Sequence, residues 1–394
     1  MRLNAVSTKL VGVGLCAALA VVVGAGSEQM AVAESPHDTL TEWTIPFPDT
    51  QPLCIARAGK NILFTNLDGI EYIGRLDPES GLVTRWLVPY TPTQPGAIVV
   101  RPSDGAVFLT GRLQAEIGQV DLEAQVLRRW PLPTTDTAPP DGPSFLVMAG
   151  DGAVVFITRD TSTNAGYVGR LDTTTGNIKL WPLPDSTEVN LWQLALGPAQ
   201  TVFGNFTGFG PRGLFRLDMA TGGYTTWSTG SVEPAFGITA DAAGRVYYAQ
   251  ISGSDYSISR LLPETGRVTQ WRAPASFQGL GERLVLFGGH ALIGNTSALI
   301  ALDVAARGAE STLSPSPIAQ TITPLSFTVS PIEQALVGES AQASVQVTPV
   351  RRRSFGAFDR WPISSATNAI TTTTSPAAIY FNEPNRPAIG RITN

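Results

Sequence analysis

Apolar and polar residues alternate over short runs along most of the chain, and turn residues close each run after a few positions. The stretch from Tyr167, YVGRLDTTTGNIKLWPLP, holds one complete unit of this kind. Its alternation up to Asp172 and again from Ile178 to Trp181 predicts two strands. Between them, Asp172-Thr-Thr-Thr-Gly176 predicts a tight turn, in which the aspartate accepts backbone N–H groups ahead of it and the glycine supplies a positive φ. Copies begin at Ile73, Ile117, Leu214 and Ile258, each with a tryptophan at the same distance beyond the Asp position.

A second register runs alongside. An apolar strand precedes each hairpin and ends at Asn66, Gly111, Arg159, Phe206, Gln250, Asn295, Glu339 and Glu383, at intervals of about 45 residues. Fourth strands are marked by Trp43, Trp86, Trp130, Trp181, Trp227 and Trp271, then by the degenerate Leu313 and by Trp361. A period of this size is one four-stranded propeller blade. The reading is an all-β propeller of eight blades, with seven as the alternative. Residues 39–46 form a lone outer strand and 388–394 a third strand lacking its fourth, so the N-terminal strand is expected to complete the last blade. Residues 39–394 then form one domain, with 311–331, rich in Ser, Thr and Pro, as its least regular part.

Composition narrows the picture. The chain has 394 residues, 39 Gly, 30 Pro and 15% charged residues, which suits many short strands. A net charge of −5 argues against a nucleic-acid partner, which would need a basic face to neutralise phosphates, and no such face is visible in the sequence. The one basic cluster, Arg351 to Arg353, is expected at a solvated hairpin turn. Residues 1–33 read as a secretory signal: Arg2 and Lys9, an apolar run from Leu10 to Val23, and a small-x-small site at Ala31-Val32-Ala33. That run is shorter than the roughly 20 residues needed to span a bilayer. Cys16 follows Leu15, which does not suit a lipidation signal. After cleavage only Cys54 remains, so the domain holds without an internal disulfide and Cys54 reads as a buried thiol. The expected product is a secreted, periplasmic or envelope monomer with no membrane segment.

Several stretches resemble the blade wording of the virginiamycin B lyase (streptogramin lyase) propellers. Ile73 to Asp77 and Val168 to Asp172 are similar to Ile-Gly-Arg-(Ile/Leu)-Asp. Residues 41–46 and 179–184 are similar to Glu-(Tyr/Phe/Trp)-x-(Leu/Ile)-Pro, and Tyr380 to Glu383 to Trp-Phe-Thr-Glu. The resemblance covers nearly the whole exported part. It implies a propeller, seven-bladed in the lyases themselves, that opens the macrocyclic lactone of streptogramin B antibiotics by elimination, with Mg²⁺ and with His and Glu at the channel mouth.

The chemistry that the resemblance implies meets a departure here. The lyase histidine follows the Pro that opens a first strand, and the matching residues are Leu53, Gly96 and Ser144, with Ala235 and Phe236 in the fifth blade. The two histidines stand elsewhere, His37 beside the cleavage site and His290 in a hairpin at the opposite end of the ring. Glu339 and Glu383 remain as candidate catalytic residues, a pair that holds Mg²⁺ or shares a proton, or else two solvated acids. Asn66, Arg159, Gln250, Asn295, Glu339 and Glu383 form a candidate polar ring at the channel mouth, for a small molecule, a glycan or an envelope protein. A polar mouth also follows simply from strands ending in water.

Other motifs add little. Residues 208–213 match G-x-G-x-x-G but precede a strand and contain Pro211, so they read as a turn. No triad elbow or metal-ligand spacing occurs in the sequence, and two Asn-x-Ser/Thr patterns at Asn205 and Asn295 are too short to be specific. The Asp-turn-Trp spacing is also similar to the tryptophan-docking motif of quinoprotein dehydrogenases and outer-membrane assembly propellers, where the Trp comes one residue earlier. The tryptophans are expected to pack between blades, with each ring N–H finding a carbonyl. The function expected is an exported binding or interaction propeller. The alternatives are a Mg²⁺-dependent lyase or hydrolase of the streptogramin lyase type and an envelope-protein scaffold.

Overall fold

The computed structural model describes residues 39–393 except for connecting segments, the longest being 135–141, 273–279 and 363–369; in several strands only the backbone is described. Contacts divide the chain into Met1–Ala33 and Glu34–Asn394. The first unit, which carries the expected export signal, lies outside the described residues.

The second unit is built from seven antiparallel sheets, and no helix occurs among its described residues. After β1 (Thr39–Thr44), blade 1 comprises β2 (Pro52–Ala58), β3 (Asn61–Asn66), β4 (Tyr72–Asp77) and β5 (Leu82–Leu87). Blade 2 comprises β6 (Pro95–Val100), β7 (Val107–Gly111), β8 (Glu116–Asp121) and β9 (Val126–Pro131). Blade 3 comprises β10 (Phe145–Met148), β11 (Val154–Arg159), β12 (Gly166–Asp172) and β13 (Asn177–Pro182). Blade 4 comprises β14 (Asn190–Leu196), β15 (Thr201–Thr207), β16 (Arg212–Asp218) and β17 (Tyr224–Gly230). Blade 5 comprises β18 (Ile238–Ala240), β19 (Val246–Ser252), β20 (Asp255–Leu262) and β21 (Arg267–Arg272). The first strand of each blade is innermost and neighbours the first strand of the next, so the ring closes on itself.

Blade 6 breaks the pattern, and with it the expectation of eight blades. Its strands β22 (Leu280–Phe287), β23 (His290–Asn295) and β24 (Ala298–Asp303) pair in order, but β24 does not turn back at once into a fourth strand. The chain instead runs round the outside of the ring. It lays β25 (Ala309–Thr312) on blade 5, β26 (Pro315–Ile318) on blade 4, β27 (Leu325–Thr328) on blade 3 and β28 (Ile332–Ala335) on blade 2. It then lays β29 (Gln342–Gln346) on blade 1 and β30 (Val350–Arg353) on β1, before β31 (Arg360–Pro362) pairs with β24 as the missing fourth strand of blade 6. Blade 7 follows as β32 (Ile370–Thr374), β33 (Ala377–Glu383) and β34 (Ala388–Thr393), and β1 lies beside β34 from Thr39↔Thr393 to Thr44↔Ala388.

The ring therefore has seven blades, and the apparent eighth is a belt. The belt is about as long as one blade, so an interval of about 45 residues persists across it without a blade being present. Arg351 to Arg353 are also reassigned: they lie in β30, opposite Thr41, Leu40 and Thr39, and not at a hairpin turn.

Local chemistry explains the repeated wording. Asp77, Asp172 and Asp218 each accept two backbone N–H groups through Oδ1, as from Thr174 and Thr175 to Asp172, and Gly81, Gly176 and Gly222 take φ of 70 to 74°. The glycine of Ile-Gly-Arg makes room for an aromatic ring on the neighbouring strand. A Cβ on Gly74, Gly169 or Gly390 would overlap Phe64, Phe156 or Phe381. In blade 4 the pair is exchanged, with Gly204 on β15 facing Phe215 on β16.

The arginine of the same motif covers a tryptophan: Arg75 lies 4.8 Å from the centre of the Trp86 ring and Arg391 5.1 Å from that of Trp43. Trp86 packs into the next blade among Ile98 and Leu109, and Trp227 does the same among Ile238 and Val246. The expected carbonyl partners are missing, however. The ring N–H groups of Trp43, Trp86, Trp130, Trp181 and Trp227 are buried and make no hydrogen bond among the described residues.

Candidate functional site

The candidate site lies at the end of the ring where first strands begin and second strands end. Cross-strand partners define a common register there. Asn66 faces Pro52, Gly111 faces Pro95 and Asn295 faces Leu280, each at the terminus of its ladder. Glu383 ends β33 opposite Ala388. The side chains of Asn295 and Glu383 lie outside the described residues, as does Glu339 altogether.

The structure does not gather the remaining candidates into a solvent-facing ring. Asn66 is wholly buried. Gln250 is buried too, and its Oε1 accepts a hydrogen bond from the Ser259 hydroxyl at 2.9 Å and another from the Gln270 amide at 3.3 Å. Gln270 also donates to Ser257 at 2.9 Å, so these side chains form a polar network inside blade 5. Tyr248, opposite Ser259, belongs to it, and burial pushes its phenol well above the ordinary value.

Arg159 is out of step. In blade 1 the glycine of β4 faces Phe64, two residues before Asn66, whereas in blade 3 Gly169 faces Phe156, three before Arg159. The residue equivalent to Asn66 is Thr158, which is buried. Similar wording, VFITR beside VFLTG, hides the shift of one position, which reverses the face a side chain occupies.

Glu339 falls between β28 on blade 2 and β29 on blade 1, both belt strands, while Glu383 ends an inner strand of blade 7. The register that paired them depended on an eighth blade. Among the described residues no three His, Cys, Asp or Glu side chains come together; the side chains of the candidate pair Glu339 and Glu383 lie outside them.

One feature of the rim was not anticipated. The first strands of blades 1, 2, 4 and 6 carry an irregularity near the mouth, between Pro52 and Ile55, Pro95 and Ile98, Leu191 and Leu194, and Leu280 and Leu284. In three of these the freed backbone N–H is taken by a buried side chain from the second strand. Cys54 donates to Thr65 Oγ1 at 3.3 Å, Ala97 to Thr110 Oγ1 at 3.1 Å and Gln193 to Asn205 Oδ1 at 3.1 Å. Gln193 Oε1 in turn accepts from Ile238 N of blade 5 at 3.2 Å, tying two blades at the rim. The signal for these clamps is the Thr or Asn one residue before the strand end in ILFTN, VFLTG and VFGNF. Such bulges leave a strand bent but fully bonded.

Two acids at this end of the ring are buried. Asp160 accepts from Ser162 N, Ser162 Oγ and Thr163 N at 2.7 to 2.9 Å, which closes the turn after β11. Glu116, at the start of β8, is raised above the ordinary carboxylate range by burial, against the pull of Arg129 at 3.6 Å.

Comparison with known proteins fits this architecture. No curated protein matches the chain. Among solved structures, one described as the Dos1 propeller is similar with a TM-score of 0.51 and 10% identity, covering 90% of this chain and 95% of that one. Another, YCF48 bound to D1 peptide, is similar with a TM-score of 0.52 and 10% identity, covering 92% and 100%. These likenesses show the propeller fold. The model of the virginiamycin B lyase family matches residues 32–261, more than half of the chain and all of blades 1 to 4, and the protein belongs to that family.

Proposed function

We propose that the protein is an exported binding propeller that takes its partner at the end of the ring where the first strands begin, and that it does not carry out the family's elimination reaction. The observation that carries this reading is the set of residues after each opening Pro. Leu53, Gly96 and Ser144 stand there, and none can abstract a proton as an imidazole does. Polar groups on the adjoining second strands support the same view, because Asn66 and Gln250 are committed to the interior of their blades. The clamps at Thr65, Thr110 and Asn205 stiffen the rim, which suits a scaffold that presents connecting segments to a partner. A peptide or protein is the partner class we favour, in line with the peptide complex of the similar YCF48 propeller. Glycans and small molecules are to be tested beside it. Residues 1–33 serve as the export signal, and the mature chain acts as a monomer in the envelope or outside the cell.

Two assays test this. Purified protein incubated with a streptogramin B lactone and Mg²⁺ should leave the ring intact; linearisation that disappears in Glu383→Gln would establish the lyase reading in its place. Ser144 is exposed at the mouth, so Ser144→Arg should leave thermal stability unchanged while abolishing retention of ligands selected from peptide and glycan arrays. Equal retention by the variant moves the binding surface elsewhere and removes this proposal.

A further inference from the structure

We propose that the belt, residues 304–359, is a hoop that locks the seven blades together, so that closure of the ring does not rest on β1 alone. Both ends of the belt are fixed to one blade. It departs from Asp303 at the end of β24 and returns through Arg360, whose strand pairs with that same β24. Between those points it visits blades 5, 4, 3, 2, 1 and 7 in turn. Every one of the seven interfaces is thus crossed twice by covalent chain, once by the connection between successive blades and once by the belt.

The hold is repeated at each step for which atoms are described. Leu313 N donates to Gly266 O at 2.8 Å, Ile322 N to Gly222 O at 2.9 Å, Val329 N to Gly176 O at 2.9 Å and Leu336 N to Gln125 O at 2.7 Å. The acceptor is in each case the last residue of a blade's outer hairpin turn. The same four belt residues supply apolar side chains to the seams: Leu336 packs with blades 1 and 2, Val329 with blades 2 and 3, Ile322 with blades 3 and 4 and Leu313 with blades 4 and 5. Backbone fit is close enough that a Cβ on Gly176, Gly222 or Gly266 would overlap the carbonyl of Val329, Ile322 or Leu313. Ion pairs add to this at Arg128 with Glu333, 2.7 Å, and Arg267 with Glu310, 3.5 Å. On the far side β30 pairs with β1, so the closing strand is held on both edges.

A hoop differs from seven independent fifth strands in one respect. Cutting its chain releases the lock even when every hydrogen bond is still in place, because opening a seam then no longer has to break the belt away from several blades at once. The test is a protease site inserted after Ser330, exposed between β27 and β28, and cut after folding. The control is the same site inserted after Ser103, exposed in the turn between β6 and β7. We expect the belt-cut protein to unfold in denaturant at least fivefold faster than the control-cut protein; a smaller difference overturns the hoop. Should either insertion fail to fold, amide exchange of the unmodified protein decides. The N–H groups of Leu313, Ile322, Val329 and Leu336 should exchange together and at the rate of strand β13, and exchange more than tenfold faster than β13 shows a belt that peels locally and locks nothing.

Discussion

Leu299 of β24 pairs with Trp361 of β31, across the whole intervening length of the belt. In blades 1 to 5 the same pairing joins neighbours on a short hairpin, as Ile73 with Trp86 and Leu214 with Trp227. Blade 6 therefore has the hairpin of its siblings, opened at the turn and drawn out around the ring. That substitution of a long excursion for a short turn accounts for the missing eighth blade.

The buried tryptophans give the first prediction. Trp227 is fully buried and its ring N–H makes no hydrogen bond among the described residues. Trp227→Ala should cost about 3 to 5 kcal/mol, the range for an emptied aromatic site. Trp227→Phe should cost roughly 1 to 2 kcal/mol, since only volume and no polar pairing is lost. Urea titration of both variants measures the difference, and a Phe variant as damaged as the Ala variant would show that the indole nitrogen has a partner after all.

Turn glycines should separate into two classes. Gly105 has φ of 74° and open space around it, so Gly105→Ala pays only for the left-handed backbone, about 1 to 2 kcal/mol. Gly176 has φ of 70° and also lies against the Val329 carbonyl of the belt. Gly176→Ala should be distinctly more destabilising than Gly105→Ala in the same melt. Gln125, the equivalent residue in blade 2, holds φ of 54° without being glycine. Gln125→Gly should be neutral or stabilising by up to about 1 kcal/mol, the balance of relieved strain against unfolded-chain entropy.

The exchanged pair in blade 4 makes a third test. Gly74 and Phe64 face each other in blade 1 as Phe215 and Gly204 do, in reverse, in blade 4. Phe64→Gly leaves a cavity and Gly74→Phe overfills the site. The double exchange should recover much of both losses, with a coupling energy of about 1 to 3 kcal/mol in a double-mutant cycle. Additive losses would mean that the two blades pack their rings differently.

Acid should weaken the fold through its hairpin turns. Burial works to raise the pKa of Asp77, Asp172 and Asp218, but hydrogen bonds from Lys60, Thr175 and Thr221 and from backbone N–H groups outweigh it and hold all three below the ordinary range. A folded-state pKa below the unfolded one stabilises the fold above the unfolded value, and this is lost as pH falls through the folded value. Stability should be steady from about pH 7 to 5 and decline below about pH 4. Glu116, raised by burial, has the opposite sign: its protonation favours the fold, and its ionisation on going up in pH costs stability. The triple change of Asp77, Asp172 and Asp218 to Asn should flatten the acid limb, and an unaltered limb would place the acid sensitivity elsewhere.

The blades were legible because their turns and tryptophans repeat a mechanism, and a mechanism leaves the same residues behind each time. The belt was not, because its described apolar anchors, Leu313, Ile322, Phe327, Val329 and Leu336, are sparse and follow no repeated turn. Leu313 passed for a worn fourth-strand mark, whereas its N–H is spent on Gly266. Trp361 passed for the mark of an eighth blade, whereas it belongs to blade 6. The candidate site suffered most at Arg159, where one residue of slippage, invisible without cross-strand partners, moved the register to Thr158. At Asn66 and Gln250 the sequence located the strand ends, but it could not say that both side chains point into protein.

The direction in which the belt travels bears on how the molecule comes into being. A chain emerging from its N-terminus completes blade 5 last before the belt begins, and the belt meets blade 5 first, then retraces blades 4 to 1 in the reverse of their birth order. Each new stretch thus finds its dock already built. β1, by contrast, pairs with β30 and β34, both made long after it, so the earliest strand of the domain depends on late ones for both of its edges.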